Sequence, residues 1–165
     1  MIPPAVPPGM FGAEVETALV ASVGRVEGVL GPVDGLAVGW GTVDLERAAA
    51  EAWPGRSTAP LPDDALLGAR CLAAVDEPAL VLLEPSTEGR LAASLARHGE
   101  GPIALYLLIP DRTIDRFRVV APASGVHLSR PAAGPFGRAV LVLDGPPSGP
   151  HLIVAEAAGR GTIGR

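Results

Sequence analysis

The chain has 165 residues, enough for one domain with a core of its own. Hydrophobic residues make up 48% and charged residues 19%, which excludes a disordered chain, and a net charge of −5 argues against nucleic-acid binding, which needs a clustered basic face. A single cysteine, Cys71, excludes an intramolecular disulfide, and the absence of Lys, Asn and Gln leaves no Schiff-base lysine and no side-chain amide ligand.

The first nine residues hold four prolines and no charged segment ahead of an apolar run, so they read as a loose arm and not a signal peptide. No stretch reaches the roughly eighteen apolar residues of a membrane span. A cytoplasmic location with no membrane partner is the expectation. From Gly12 to Leu30 the residues Val15, Leu19, Val23, Val26 and Leu30 recur every three or four positions, with Glu14, Glu16, Arg25 and Glu27 between them. This pattern predicts an amphipathic helix, packed on its own domain or forming a homodimer. After Gly31-Pro32, Val33 to Trp40 is a strand. Thr42 or Asp44 caps a helix that buries Leu45, Ala48, Ala49 and Ala52 and stops at Trp53-Pro54-Gly55. Arg56 to Asp64 reads as a loop rich in Pro, Ser and Thr. Two apolar strands follow, Leu66 to Val75 and Ala79 to Glu84, around the turn Asp76-Glu77-Pro78.

The second half repeats this order. Thr87 to His98 is a helix with Leu91, Leu95 and Ser94 on its inner face, ended by Gly99; Pro102 to Ile109 is a strongly apolar strand, and Thr113 to Val120 a short helix. Val126 to Ser129, Gly137 to Leu143 and Leu152 to Glu156 are three further strands. The repeat is one of element order, with no residue-level repeat beneath it. The expected organisation is an arm and helix over 1–32, one domain over 33–156 with halves at about 33–85 and 101–156, and a tail over 157–165.

Val43-Asp44-Leu45-Glu46-Arg47-Ala48-Ala49 resembles the opening of the first helix in the vicinal oxygen chelate (glyoxalase/bleomycin-resistance) superfamily. Leu80-Val81-Leu82-Leu83-Glu84-Pro85, followed by Leu95-Ala96-Arg97-His98-Gly99-Glu100-Gly101, is similar to a segment of its methylmalonyl-CoA epimerase branch. Pro147-Ser148-Gly149-Pro150-His151-Leu152-Ile153-Val154 resembles that branch's ending. The resemblance implies an α+β fold in which paired βαβββ modules curl a mixed sheet into a cup around a ligand, here with an extra N-terminal helix. In that branch a divalent metal held by His, Gln and Glu side chains would polarise a thioester carbonyl while carboxylates move the proton. The positions that would hold the metal fall on Gly35 or Ala37, on Val81, on the run Pro102-Ile103-Ala104-Leu105 and on Ala155; that of the proton-moving base falls on Leu66. A metal needs at least three oxygen or nitrogen ligands converging on one point. No metal and no cofactor are therefore expected.

Other residues could rebuild a site. The candidate acid–base groups are Glu156, His151 and His127. Strand side chains alternate, so a one-residue slip decides whether Glu156 faces the cup or the outside. Candidate ligand contacts are Trp40, Tyr106, Phe136 and Glu84, with Trp53 and Phe117 as further aromatics. His98 reads as a helix-end cation, Cys71 as a core residue, and Asp63, Asp64 and Glu100 as loop charges. Three functions stay open: metal-independent binding of a hydrophobic or acyl-thioester-like small molecule, a metal-independent epimerase, isomerase or cyclase, and a non-catalytic subunit that pairs with an active relative.

Overall fold

Helix α1 (Ala13–Leu30) forms where the apolar residues recur at helical spacing, and it buries Leu19, Ser22 and Val26. The computed structural model, which describes residues 10–146 and 149–157, continues with β1 (Gly35–Gly41), α2 (Leu45–Ala52), β2 (Thr58–Asp64), β3 (Ala69–Ala74) and β4 (Glu77–Pro85). Helix α3 (Arg90–His98) leads into β5 (Gly101–Ile109), α4 (Ile114–Val120), β6 (Ala132–Ala133), β7 (Arg138–Leu141) and β8 (His151–Glu156). No helix among the described residues is long and apolar enough to cross a membrane.

The eight strands form one mixed sheet in the order β2-β3-β4-β1-β5-β8-β7-β6. In each half the first strand pairs parallel with the last, β1 with β4 and β5 with β8, and β1 meets β5 antiparallel at the centre. The chain is thus two βαβββ modules, β1-α2-β2-β3-β4 and β5-α4-β6-β7-β8, joined by α3. At the far edges the Ala65 N–H donates to the Ala133 carbonyl at 3.0 Å, so the sheet curls until it is nearly closed.

Alternation along the strands sorts the core onto two faces. Toward α1 and α4, Val38, Leu105, Leu107, Leu152 and Val154 pack against Leu19, Val26, Ile114 and Phe117. Beneath α2, Trp53 and Ala48 cover Leu82 and Ala74. The enclosed face carries Val81, Leu83, Ala104, Tyr106, Ile153 and Ala155, and Leu91 of α3 is buried among them.

Residues 58–64, expected as a loop, form edge strand β2. Pro60 and Pro62 disguise it, because proline cannot donate to a ladder and is tolerated in strands chiefly at an edge. The strand expected from Leu66 begins only at Ala69: residues 65–68 turn instead, closed by the Gly68 N–H on the Asp64 carbonyl at 2.9 Å, with Gly68 at φ +69°. The strand expected over Val126–Ser129 reduces to a single bridge, Leu128 to Val142, and a two-residue strand at Ala132–Ala133 supplies the second edge. The arm over 1–9, the tail over 158–165 and the pair Pro147-Ser148 lie outside the described residues.

Candidate functional site

The enclosed face of the sheet is packed. Gly39 in β1 shows how tightly: a Cβ there would lie 2.8 Å from the Leu83 side chain, 2.9 Å from Ala104 and 3.1 Å from the Tyr106 ring. Tyr106 is fully buried, and Phe136 meets its ring edge-on at a centroid distance of 5.2 Å. The Tyr106 hydroxyl donates to Asp64 Oδ2 at 2.7 Å, and the Leu67 N–H donates to Oδ1 at 2.9 Å. Asp64, read from the sequence as a loop charge, is therefore a buried group at the end of β2 and only 1% exposed. Burial pushes its carboxyl above the ordinary aspartate range, opposed by the hydrogen bonds from Tyr106 and Leu67. Burial also raises the Tyr106 phenol well above its usual value and the Cys71 thiol to about 12. Both stay protonated at neutral pH, and Cys71 is a core residue without thiolate character.

These residues do not fit a divalent metal. Both oxygens of Asp64 are engaged, and the positions at which the resemblance would place ligands present Ala37, Val81 and Ala155 to the enclosed space. No group of three His, Cys, Asp or Glu is placed to hold a metal among the described residues. No Lewis-acid step follows from this donor set.

The acid–base candidates are scattered. Glu156 faces the helix layer, where its Oε1 accepts the Ile114 N–H at the start of α4 at 2.8 Å. The pairing of Ile109 with Glu156 fixes this register: Ile153 and Ala155 point inward, and Leu152, Val154 and Glu156 point out. His127 is exposed and pairs with Asp144 at 3.1 Å. Only His151 stands at the rim of the cup.

The ligand-contact candidates divide as well. Tyr106 and Phe136 lie on the enclosed face, whereas Trp40 lines an outer cavity of about 280 Å³ with Arg47, Leu80 and Leu82. Glu84 is outside too, accepting the Leu45 N–H at 3.0 Å and pairing with Arg70. Trp53 and Phe117 are core residues. Glu100 ties the modules together by accepting from Thr42 at 2.5 Å and pairing with Arg47, so it too is more than a loop charge.

At the rim, His151 shares a 3.1 Å hydrogen bond between its Nε2 and Ser94 Oγ of α3. Burial, reinforced by the neighbouring Arg90 guanidinium, holds the imidazole below the usual histidine range, so it is neutral at pH 7. Arg90 Nη1 donates to the Leu66 carbonyl at 3.2 Å. A cavity of about 260 Å³ opens here between Arg90, His151, Leu143, Pro146 and Pro150. A second, of about 150 Å³, lies on the other side of Pro150, lined by Phe11, Val15, Ser94, His98 and Ile103. The sequence places Ser94 with Leu91 and Leu95 on the inner face of this helix, whereas Arg90 has the look of an ordinary residue at an exposed helix start. The spacing of four between them, about one helical turn, is the signal that puts Arg90 on the same face as Ser94.

No family model and no curated protein matches the chain. Among solved structures, methylmalonyl-CoA epimerase from Mycobacterium tuberculosis is similar at 24% identity, covering 76% of this chain and 89% of that one with a TM-score of 0.58. A hypothetical protein from Bacillus halodurans is 19% identical over 73% of this chain and 91% of its own, with a TM-score of 0.58. A Streptomyces coelicolor methylmalonyl-CoA epimerase variant in complex with 2-nitronate-propionyl-CoA is 22% identical over 76% and 94%, with a TM-score of 0.54. The two paired βαβββ modules and these matches agree: the chain has the vicinal oxygen chelate fold, in the form that methylmalonyl-CoA epimerases share.

Proposed function

We propose that this chain is a metal-independent small-molecule-binding protein that uses the rim of a glyoxalase-like cup, with a ligand that is hydrophobic or acyl-thioester-like. One observation carries the reading. The floor of the cup is filled by Tyr106, Phe136 and aliphatic side chains, no metal donors converge there among the described residues, and polar side chains and two cavities remain at the rim around the Ser94–His151 pair. A small-molecule site needs a concave, largely apolar wall with a few placed polar groups, and the rim supplies both. The similar Streptomyces structure is a complex with 2-nitronate-propionyl-CoA, which supports an acyl thioester as the first ligand to try. Of the acid–base candidates, Glu156 has no access to the cup, so the binding reading stands ahead of the epimerase, isomerase or cyclase reading. A cytoplasmic setting and the absence of a nucleic-acid partner remain part of the proposal.

Native mass spectrometry of the untagged protein with propionyl-CoA, with and without EDTA, tests it. The expected result is a one-to-one complex whose occupancy EDTA leaves unchanged. Loss of the complex on chelation would sink metal independence, and no complex with any acyl thioester would sink that choice of ligand.

A second reading, pairing of two copies through α1, is favoured by a groove of about 430 Å³ lined by Leu19, Val20, Val23, Leu36 and Leu105. Val20 is 71% exposed there. A monomeric mass by sedimentation equilibrium at tens of micromolar would dispose of it.

A further inference from the structure

The two rim cavities differ in chemistry. The larger holds Arg90 and His151; the smaller is walled by Met10, Phe11, Val15 and Ile103, with His98 at its side. Among the described residues no Asp or Glu lines either cavity, although the chain carries 18 acidic and 13 basic residues. None of the ion pairs among the described residues involves Arg90. An arginine held by one backbone carbonyl, with no carboxylate beside it, keeps donors available for an incoming oxyanion. Ser94 and His151 add a hydroxyl and an imidazole, and their mutual hydrogen bond spans the boundary between the two cavities.

From this arrangement we infer that Arg90, Ser94 and His151 form an anion subsite for a carboxylate or phosphate group, with the adjoining Phe11–Ile103 cavity receiving a short apolar substituent of the same ligand. The inference rests on the rim-binding reading and names the chemical class that the rim selects: small oxyacids with an apolar end. Arg90 supplies the charge, Ser94 a reorientable hydroxyl, and His151 a ring that becomes a cationic donor once an anion sits beside it. Among the described residues, the ionisable groups lining the paired cavities are Arg90, His98 and His151, so none of the described carboxylates there competes for the imidazole proton.

The test is NMR observation of the His151 ring Cε1–H during titration with inorganic phosphate and, separately, with butyrate. Saturable shifts are expected for at least one of them, together with a rise in the His151 titration midpoint, since a bound anion favours imidazolium. Arg90→Ala should weaken that binding about tenfold or more, the scale of one charge-assisted contact, and Arg90→Lys should restore part of it. Tighter binding of butyrate than of phosphate would assign the site to carboxylates with an apolar end; the reverse order would assign it to phosphates. A His151 signal unmoved by both probes, or equal binding by Arg90→Ala, overturns the subsite. Failure here is separable from failure of the rim reading. An acyl-thioester complex of equal occupancy in wild type and Arg90→Ala leaves rim binding standing without the subsite. Loss of every thioester complex, with the anion shifts retained, does the reverse.

Discussion

In the first module Glu84 accepts the Leu45 N–H at 3.0 Å, and in the second Glu156 accepts the Ile114 N–H at 2.8 Å. Each glutamate stands near the end of its module's last strand, and each satisfies the first residue of that module's helix, where unpaired N–H groups and the helix dipole both favour a carboxylate. The surroundings differ. The first helix is also capped by Asp44, which accepts the Arg47 N–H at 3.0 Å, and Glu84 has Arg70 beside it. The second has Thr113 at its N-cap with no side-chain cap bond, and Glu156 is only 6% exposed. A shared device is thus reinforced in one module and solitary in the other. The comparison also shows why neither glutamate serves the cup: both turn outward to hold a helix. The cup takes its polar pair from across the modules, Asp64 from β2 and Tyr106 from β5.

The largest effect should come from breaking that cross-module pair. Asp64→Ala leaves two buried donors, the Tyr106 hydroxyl and the Leu67 N–H, without acceptors, and should cost about 3 kcal/mol in chemical denaturation. A loss under about 1 kcal/mol would mean the pair does not organise the cup. Next comes the contrast between the glutamates. Glu156→Ala should cost about 2 kcal/mol, because its partner N–H is buried without a second cap, and Glu84→Ala under about 1 kcal/mol. Equal losses would erase the distinction drawn between the modules.

The Asp64 pair also has a pH signature. Its folded carboxyl is raised, so its contribution to stability is fully present below the ordinary aspartate value of 3.8 and declines as pH rises through the raised folded value. Asp64→Asn cannot ionise, so its melting temperature should gain on the wild type between about pH 4 and pH 7. A constant difference across that range would show that the folded carboxyl titrates normally. The smallest effect is expected from Glu156→Gln, which keeps an oxygen for the Ile114 N–H: under about 1 kcal/mol in stability, and unchanged ligand occupancy by mass spectrometry. Lost binding without lost stability would place Glu156 in the cup after all.

Most of the framework was readable where a segment's periodicity and its burial coincide. Helix α1 and the apolar strands β1, β5 and β8 followed directly from spacing, and the repeated element order anticipated two modules. What escaped depended on long-range pairing. Pro60 and Pro62 hid β2 because only its edge position makes them tolerable, and with it went Asp64, which resembled a solvated charge until Tyr106, 42 residues away, was placed on it. Glu156 was ambiguous because alternation alone does not say which face is enclosed. The pairing of Ile109 with Glu156, and the helix waiting outside, resolve it. The rim cluster forms where Ser94 of α3 meets the first residue of β8, and nothing in local sequence announces that Ser94 meets His151.

In the proposed reading the enclosed face, filled where ligands would converge, takes no metal, and the rim binds the ligand. The most direct measurement is metal analysis of the untagged protein after incubation with excess cobalt(II) and desalting, with absorption spectra of the same sample. Far less than one ion per chain and no ligand-field bands is the result expected of Val81, Ala155 and an engaged Asp64. One cobalt per chain with d–d bands would contradict the account and make metal-dependent chemistry the leading reading.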